Sequence, residues 1–350
     1  MFVIRIKGLM LSMFLAVIVL PIAHASDITE RTVDVGDDLV FDVLEAGNMN
    51  NPAVIFLHGY PESMDTWRPL MEAVADAGYF AVAYNQRGYS IGTQPNQRFL
   101  SKRKREQYER DRYSIAEISA DVDRIAEAVL NVDTFHIVGH DFGSVIAHYT
   151  AARLADNRTY RVTSFTGLAF PHAGAVLDSV NIAKCTTSTS NPEVCAQQEA
   201  FDSYTWIPLT IFKSPRRAKA LGKFTDFFTF DDGFNVWEYI NEPIKKEIKN
   251  TLASGDALYE ASAWYRANPF DASLYSDDGP FYEIIRTPTL MLWGSDETYA
   301  MKSTVELNEN YVDRNYQYEL VVLEGSGHNL MHQNFLEVRD HLLTHLSENQ

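Results

Sequence analysis

The segment from Thr134 to Leu154 constrains the fold of this chain more than any other. It begins with a short run typical of a strand, continues through a Gly-x-Asp-x-Gly sequence at 139–143, and ends in an apolar pattern typical of a helix. Glycines on both sides of the aspartate let the backbone turn sharply, and such a turn projects the central side chain above the edge of a sheet. The side chain presented here is Asp141. A strand that runs directly into a helix indicates an α/β protein.

Eight runs of β-branched and aromatic residues, separated by turn residues, predict strands. They are Glu30–Val35, Leu39–Leu44, Ala53–His58, Phe80–Tyr84, Thr134–Gly139, Val162–Ala169, Thr289–Trp293 and Tyr318–Leu323. Helical patterns lie between several of them, and the clearest begins with a capping box made by Ser114 and Glu117. From Ala53 onward, this alternation predicts a mostly parallel sheet flanked by helices, with ligands at the carboxyl ends of its strands.

The alternation of strands and helices stops after about Pro171 and resumes near Thr287. A connection of this length is far longer than an ordinary loop. Because the segment is rich in aromatic residues and has helix-like patterns, we expect a mainly helical cap over the functional edge of the sheet. The predicted organisation is a core of residues 26–172 and 285–350 with a cap insertion at 173–284.

The first 25 residues have the pattern of a secretory signal peptide. A short basic head is followed by an apolar run over 9–22 and by small residues at 23 and 25. A retained membrane anchor is the alternative, but the run is shorter than the stretch of about 20 residues that a span needs. We therefore expect cleavage after Ala25, export to the periplasm or the medium, and no membrane segment in the mature chain.

Charge and cysteine content narrow the possible partners. The chain has 30 basic and 47 acidic residues, a net charge of −17 that would repel an extended anion such as DNA. The basic run Lys102–Arg105 is followed at once by acidic residues, and we expect it to lie in a solvated surface loop. In an exported chain, Cys185 and Cys195 are expected to be bonded to each other, two reduced thiols being the alternative. No metal site is predicted, since no close Cys or His pairing accompanies them.

The aspartate at the turn determines the chemistry that we expect. In the common version of this turn a serine stands there and needs a base to remove its proton. A carboxylate is already anionic at neutral pH and attacks a saturated carbon directly. Asp141 therefore favours displacement at an sp³ carbon over ester or amide hydrolysis, the alternative being an aspartate that only caps the next helix. Backbone N–H groups of Tyr60, in a His-Gly-Tyr-Pro sequence, and Phe142 are suited to stabilise an oxyanion.

Two later strand ends carry groups that would complete such a site. His328 follows the last predicted strand in a turn of small residues, and His332 is the alternative base. A catalytic histidine needs a carboxylate to orient it, and Asp296 and Glu297 both follow the preceding strand. Residue type favours Asp296. The spacing from Gly294 favours Glu297, and we choose Glu297.

In this order the motifs resemble the α/β-hydrolase superfamily, and within it the epoxide hydrolase branch with an aspartate nucleophile. The resemblance extends over nearly all of the chain after the predicted signal peptide, and its motifs are at 58–61, 85–90, 139–143, 170–172 and 264–266. Asn85 is a departure, because the family more often has an aspartate there. The resemblance implies an α/β-hydrolase fold with an eight-stranded sheet and a helical cap.

The resemblance also implies that two tyrosines of the cap donate hydrogen bonds to the epoxide oxygen. Tyr265, in Trp-Tyr-Arg, matches one of them, and Tyr204 resembles the other. An opening epoxide ring leaves an alkoxide, which is a poor leaving group unless a donor with a pKa near roughly 10 stabilises or protonates it. Core packing is the alternative role for each tyrosine.

The sequence thus predicts a hydrolase that opens a small apolar epoxide to a vicinal diol through an ester on Asp141, with no metal or organic cofactor. A haloalkane or haloacid dehalogenase using the same aspartate is the nearest alternative. Many haloalkane dehalogenases have Asn and Trp, with side-chain N–H donors for the halide, where this chain has Tyr60 and Phe142. An alternative of another class is a non-catalytic protein that binds a small ligand in a capped cleft.

Overall fold

The computed structural model describes residues 27–95, 100–155, 159, 161–182, 239–254, 256–268, 279 and 281–350. The predicted signal peptide, Cys185, Cys195 and Tyr204 lie outside these residues, so the corresponding expectations stay predictions. Among the described residues, no helix is long and apolar enough to cross a membrane.

Eight strands in the described part of the chain form one sheet, as the sequence predicted. They are β1 (Thr29–Asp34), β2 (Val40–Ala46), β3 (Ala53–Leu57), β4 (Phe80–Tyr84), β5 (Thr134–His140), β6 (Arg161–Leu168), β7 (Thr289–Gly294) and β8 (Tyr318–Leu323). Their order across the sheet is β1-β2-β4-β3-β5-β6-β7-β8. The pairs β1–β2 and β2–β4 are antiparallel, and all the later pairs are parallel. The predicted mostly parallel sheet is confirmed.

Helices connect and cover these strands. They are α1 (Arg68–Asp76), α2 (Lys102–Arg112), α3 (Ile115–Val129), α4 (Phe142–Leu154), α5 (Ala173–Ile182), α6 (Glu242–Ala253), α7 (Ala257–Ala261), α8 (Ala263–Ala267), α9 (Lys302–Glu306), α10 (Leu330–Gln333) and α11 (Phe335–Glu348), with 3₁₀ turns at Met64–Trp67, Ile91–Thr93 and Leu307–Tyr311. Helices α5 to α8 follow β6 and precede β7, within the predicted cap. The exact boundaries of core and cap stay predictions.

The core lies on both faces of the sheet because successive side chains of a strand point to opposite faces. In β3, Ile55 and Leu57 join a cluster that includes residues of α3 and α4, whereas Val54 and Phe56 join a second cluster with residues of α1 and α11. All five residues of β3 are buried. A strand covered on both faces has an almost continuous apolar sequence, which is why its position could be predicted.

The basic run is helical, and our prediction of a surface loop there was wrong. Residues 102–112 form α2, which the structure describes in full and which buries only Glu109. The helix has no apolar stripe, so periodicity gave no signal for it. Local pairs such as Lys102 with Glu106 add support on its exposed face, and the buried Glu109 carboxylate is fixed by contacts outside the helix.

Candidate active site

The turn between β5 and α4 places Asp141 at the carboxyl edge of the sheet. Asp141 has a φ of 53° and a ψ of −125°, a backbone conformation that few non-glycine residues adopt. The two flanking glycines are required by close packing: a Cβ on Gly139 would collide with the backbone of Gly143, and one on Gly143 would collide with that of Leu57. This backbone conformation and the small neighbouring residues project the side chain of Asp141 from the turn. Asp141 is 1% exposed.

The two carboxylate oxygens of Asp141 have different neighbours. The Tyr60 backbone N–H donates to Oδ1 at 2.8 Å. Oδ2 lies 3.5 Å from Nε2 of His328. Phe142 is the first residue of α4, and the first N–H groups of a helix have no partner within it. One oxygen is therefore held by a backbone donor, while the other faces the histidine.

His328 is oriented by Glu297. Its Nδ1 lies 2.7 Å from Oε2 of Glu297, and Oε1 of the same carboxylate accepts the backbone N–H of Tyr299 at 2.7 Å. Asp296, the alternative favoured by residue type, is exposed and contacts Ser295 instead. The structure thus brings Asp141, His328 and Glu297 together in one line of contacts.

The other candidate base lies elsewhere. Nε2 of His332 is 2.8 Å from the Thr66 hydroxyl. Burial lowers the pKa of His332 to about 4, so this imidazole is neutral near pH 7.

The pKa of His328 is shifted in the opposite direction from that of His332. Burial acts to lower the pKa of His328, but the negative charge of Glu297, together with hydrogen bonds to Asp141 and Glu297, outweighs burial and raises this pKa well above its ordinary value. The two neighbouring carboxylate side chains therefore favour the protonated form of the imidazole.

A second buried carboxylate supports this site, and sequence reasoning missed it. Glu62 accepts the Gly59 backbone N–H at 3.0 Å and lies 3.0 Å from Nδ1 of His140, whose Nε2 is 2.9 Å from the His328 carbonyl oxygen. Both ring nitrogens of His140 lie within hydrogen-bond distance of an oxygen atom. Although burial acts to raise it, the interaction with His140 lowers the pKa of Glu62 to about 2. The buried pair thus connects the loop after β3 with the backbone of His328.

Tyr265 of α8 lies over the same end of the sheet. Its ring centroid is 5.4 Å from that of Tyr60 and 5.3 Å from that of Phe142, and the residue is buried. The neighbouring Trp264 stacks on Phe142 with ring centroids 4.9 Å apart, and its indole N–H donates to the Arg87 carbonyl at 3.0 Å. The structure therefore packs the side chain of Tyr265 against both residues whose backbone N–H groups were predicted to stabilise an oxyanion. Tyr204, the other predicted donor, lies outside the described residues.

Asn85 has a local structural reason. Its Oδ1 accepts the Met64 backbone N–H at 3.0 Å, and its Nδ2 is 3.5 Å from a carboxylate oxygen of Asp42. An aspartate at this position would set two carboxylates against each other. The departure from the family pattern thus suits the neighbouring strand and does not touch Asp141.

Comparison with known proteins follows the same lines. Residues 52–183 match a family model described as the alpha/beta hydrolase fold. The chain is 22% identical over 312 residues to the AB hydrolase superfamily protein YfhM of Bacillus subtilis, a match covering 88% of this chain and 94% of that protein. It is 33% identical over 145 residues to Epoxide hydrolase A of Mycobacterium tuberculosis, covering 41% of this chain and 40% of the relative.

Among solved structures, potato (Solanum tuberosum) epoxide hydrolase I superposes with a TM-score of 0.65 at 21% identity, covering 92% of this chain and 100% of that one. At 21% identity, this likeness shows that the two proteins share a fold. The sheet, the turn at Asp141 and the matched family model together define an α/β-hydrolase-fold protein. The similarity to proteins named epoxide hydrolases supports the family resemblance predicted from the motifs.

Proposed function

We propose that this protein hydrolyses epoxides to vicinal diols through an ester formed on Asp141. The observation that carries the proposal is the unequal placement of the two Asp141 oxygens, one on the Tyr60 N–H and the other beside His328. Relatives named epoxide hydrolases support the substrate class. Serine-type ester hydrolysis does not fit, because the residue at the turn already carries the negative charge that attacks carbon.

In the first step, Oδ2 of Asp141 attacks one ring carbon and the bond from that carbon to the ring oxygen breaks. The electron pair of the broken bond stays on the ring oxygen, which takes a proton from the Tyr265 hydroxyl, with Tyr204 as the second donor. The products of the step are an alkyl ester on Asp141 and a tyrosinate.

Before the second step, the imidazolium of His328 gives its proton through solvent to the tyrosinate. His328 then takes a proton from water, and the resulting hydroxide attacks the carboxyl carbon of the ester. Negative charge develops on Oδ1, where the Tyr60 N–H already lies at 2.8 Å and the Phe142 N–H is the second donor. Collapse of this intermediate breaks the bond between the carboxyl carbon and Oδ2, and Oδ2 leaves in the diol with the proton of the hydroxyl group that was added to the carboxyl carbon. His328 ends protonated, Tyr265 has its proton again and Asp141 is again a carboxylate, so the sum is epoxide plus water giving diol.

The charges explain why His328 becomes a base only after the first step. Two carboxylates raise its pKa in the resting site, and Glu297 is the larger influence of the two. Ester formation removes the charge of Asp141 and with it one of the causes that keep the imidazole protonated. The change in Asp141 therefore lowers the pKa of His328 when a base is needed.

Replacing His328 tests this scheme directly. In His328→Gln the first step should proceed and the second should stop, so the intact mass of the protein should rise by one molecule of styrene oxide. Asp141→Asn is the matched control and should gain no mass. A His328→Gln protein that never gains mass, under conditions where the wild type produces diol, would contradict the proposal.

Assays of chloride release and of diol formation separate dehalogenation from epoxide opening. Chloride release from chloroalkanes without diol formation from epoxides would support the dehalogenase alternative. We expect diol formation from epoxides without chloride release from chloroalkanes. The reason is that the side chain of Tyr60 has no N–H donor for a halide.

A further inference from the structure

Helix α2 is attached to the cap through its one buried side chain. The Glu109 carboxylate is 4% exposed and accepts two hydrogen bonds from Arg266, Nε at 2.9 Å and Nη2 at 3.0 Å. The Tyr259 hydroxyl donates to the same carboxylate at 2.6 Å. A bidentate pair of this kind fixes orientation as well as distance. Because α2 has no apolar stripe, this carboxylate is a main point at which the helix is held.

Arg266 is the residue after Tyr265. Besides Glu109, its guanidinium donates to the Ser262 hydroxyl at 2.6 Å and to the Tyr259 carbonyl at 3.0 Å, and it lies 4.2 Å from the centre of the Tyr259 ring. Helix α8 has only five residues, which is too short to be stable without tertiary contacts. The direction in which Tyr265 points is therefore set by what holds its neighbours.

The other side of α8 is attached to the same part of the core. Asn268 accepts the Ile115 backbone N–H at 2.7 Å and donates to the Tyr113 carbonyl at 2.7 Å, at the junction of α2 and α3. Arg266 thus attaches α8 to α2, and Asn268 attaches the end of α8 to the segment where α2 ends and α3 begins. The charge of Arg266 also acts on a residue of the site. Burial raises the pKa of the Tyr60 phenol, and the positive charge of Arg266 opposes that rise.

We propose that Glu109 is a positioning residue for epoxide opening, acting through Arg266 to hold the Tyr265 hydroxyl where the ring oxygen develops charge. The inference rests on the proposed function and deepens it. Proton donors act over a narrow range of distances, and a displacement of about 1 Å lowers rates on the order of 100-fold. Among the described residues, the Glu109 carboxylate bonds to Tyr259 and Arg266 and not to Asp141, so we expect its effect to be confined to the step in which Tyr265 acts.

The test measures the two steps separately with styrene oxide, by rapid mixing for ester formation and by single turnover for ester hydrolysis. Glu109→Gln keeps the shape of the side chain but removes its charge, and we expect ester formation to slow by about 10- to 100-fold with hydrolysis of the ester unchanged. Glu106→Gln, in an exposed pair on the same helix, is the matched control and should change neither rate. Arg266→Lys, which loses the planar fork, should reproduce the effect of Glu109→Gln.

A double mutant separates positioning from general destabilisation. In a Tyr265→Phe background, Glu109→Gln should slow ester formation no further, because the group that it positions is absent. Equal slowing in both backgrounds, equal slowing of both steps, or an unchanged rate in Glu109→Gln would overturn the inference while leaving epoxide hydrolysis intact. A wild-type protein that opens no epoxide would overturn the proposed function and the role of Glu109 with it.

Discussion

At the scale of single residues, the site shows which assignments a sequence permits. Asp141 and His328 could be predicted because each follows an apolar run at a strand end, where small residues free the side chain. The choice between Asp296 and Glu297 depended on spacing, and the structure brings Glu297 to His328 at 2.7 Å. The Glu62–His140 pair could not be predicted, since its members are 78 positions apart and each has the appearance of a turn residue.

The Glu62–His140 pair predicts a pH dependence of stability. The pKa of Glu62 is lowered to about 2 in the folded chain, so its stabilising contribution is present above the ordinary glutamate pKa and is lost as the pH falls toward 2. At pH 7 the contribution is on the order of 3 kcal/mol.

Urea unfolding of the wild type and Glu62→Gln should therefore differ most near neutral pH, and the difference should shrink as the pH falls below about 4.5. Glu106→Gln, at an exposed carboxylate, should show no such trend. A difference between the wild type and Glu62→Gln that stays constant between pH 7 and pH 3 would contradict this assignment.

At the scale of secondary structure, prediction succeeded where burial imposes a period. The central strands β3 to β7 were found because parallel strands covered on both faces have almost continuous apolar runs. Helix α3 was found from its capping residue Ser114 and from apolar residues at helical spacing, which the structure buries. Helix α2 was missed because it is polar on every side and is fixed by a carboxylate that contacts a residue 157 positions away. Long-range ion pairs leave no periodic trace in a sequence.

The start of α3 gives a test at this scale. The Ser114 hydroxyl accepts the backbone N–H of Glu117, whereas Ser101, which precedes α2, makes no such bond. Ser114→Ala should lower the free energy of unfolding by about 1 kcal/mol. Ser101→Ala is the matched control and should change it by less than about 0.5 kcal/mol. Equal effects of the two substitutions in denaturant titrations would show that the cap at Ser114 contributes nothing particular.

At the scale of the whole molecule, the α/β-hydrolase fold collects groups from distant parts of the chain at one edge of the sheet. Tyr60 follows β3, Asp141 follows β5, Glu297 follows β7 and His328 follows β8. Parallel strands make this possible because their carboxyl ends meet at the same edge. The fold could therefore be predicted from local patterns, whereas the docking of the cap on α2 depends on contacts between segments that no local pattern connects.

We also propose that the chain is exported and that its cysteines are bonded. Expressed with its N-terminal segment in a bacterium, the purified protein should begin at Ser26 and should have an unreduced mass lower by two hydrogens than its reduced mass. Ala25→Arg should retain the segment, because signal peptidase requires a small residue there. An uncleaved cytoplasmic protein with two thiols open to alkylation would contradict both expectations.

The separation of 157 positions between Glu109 and Arg266 also bears on the order of folding. Contacts between neighbouring segments, such as β5 with α4, close small loops and form readily, while those that close long loops are slower. A newly folding chain is thus expected to place Asp141, the proposed nucleophile, before Tyr265, the proposed proton donor. Under the proposed function, a chain whose cap has not docked would carry a carboxylate unable to open an epoxide, so activity would arise only at the last stage of folding.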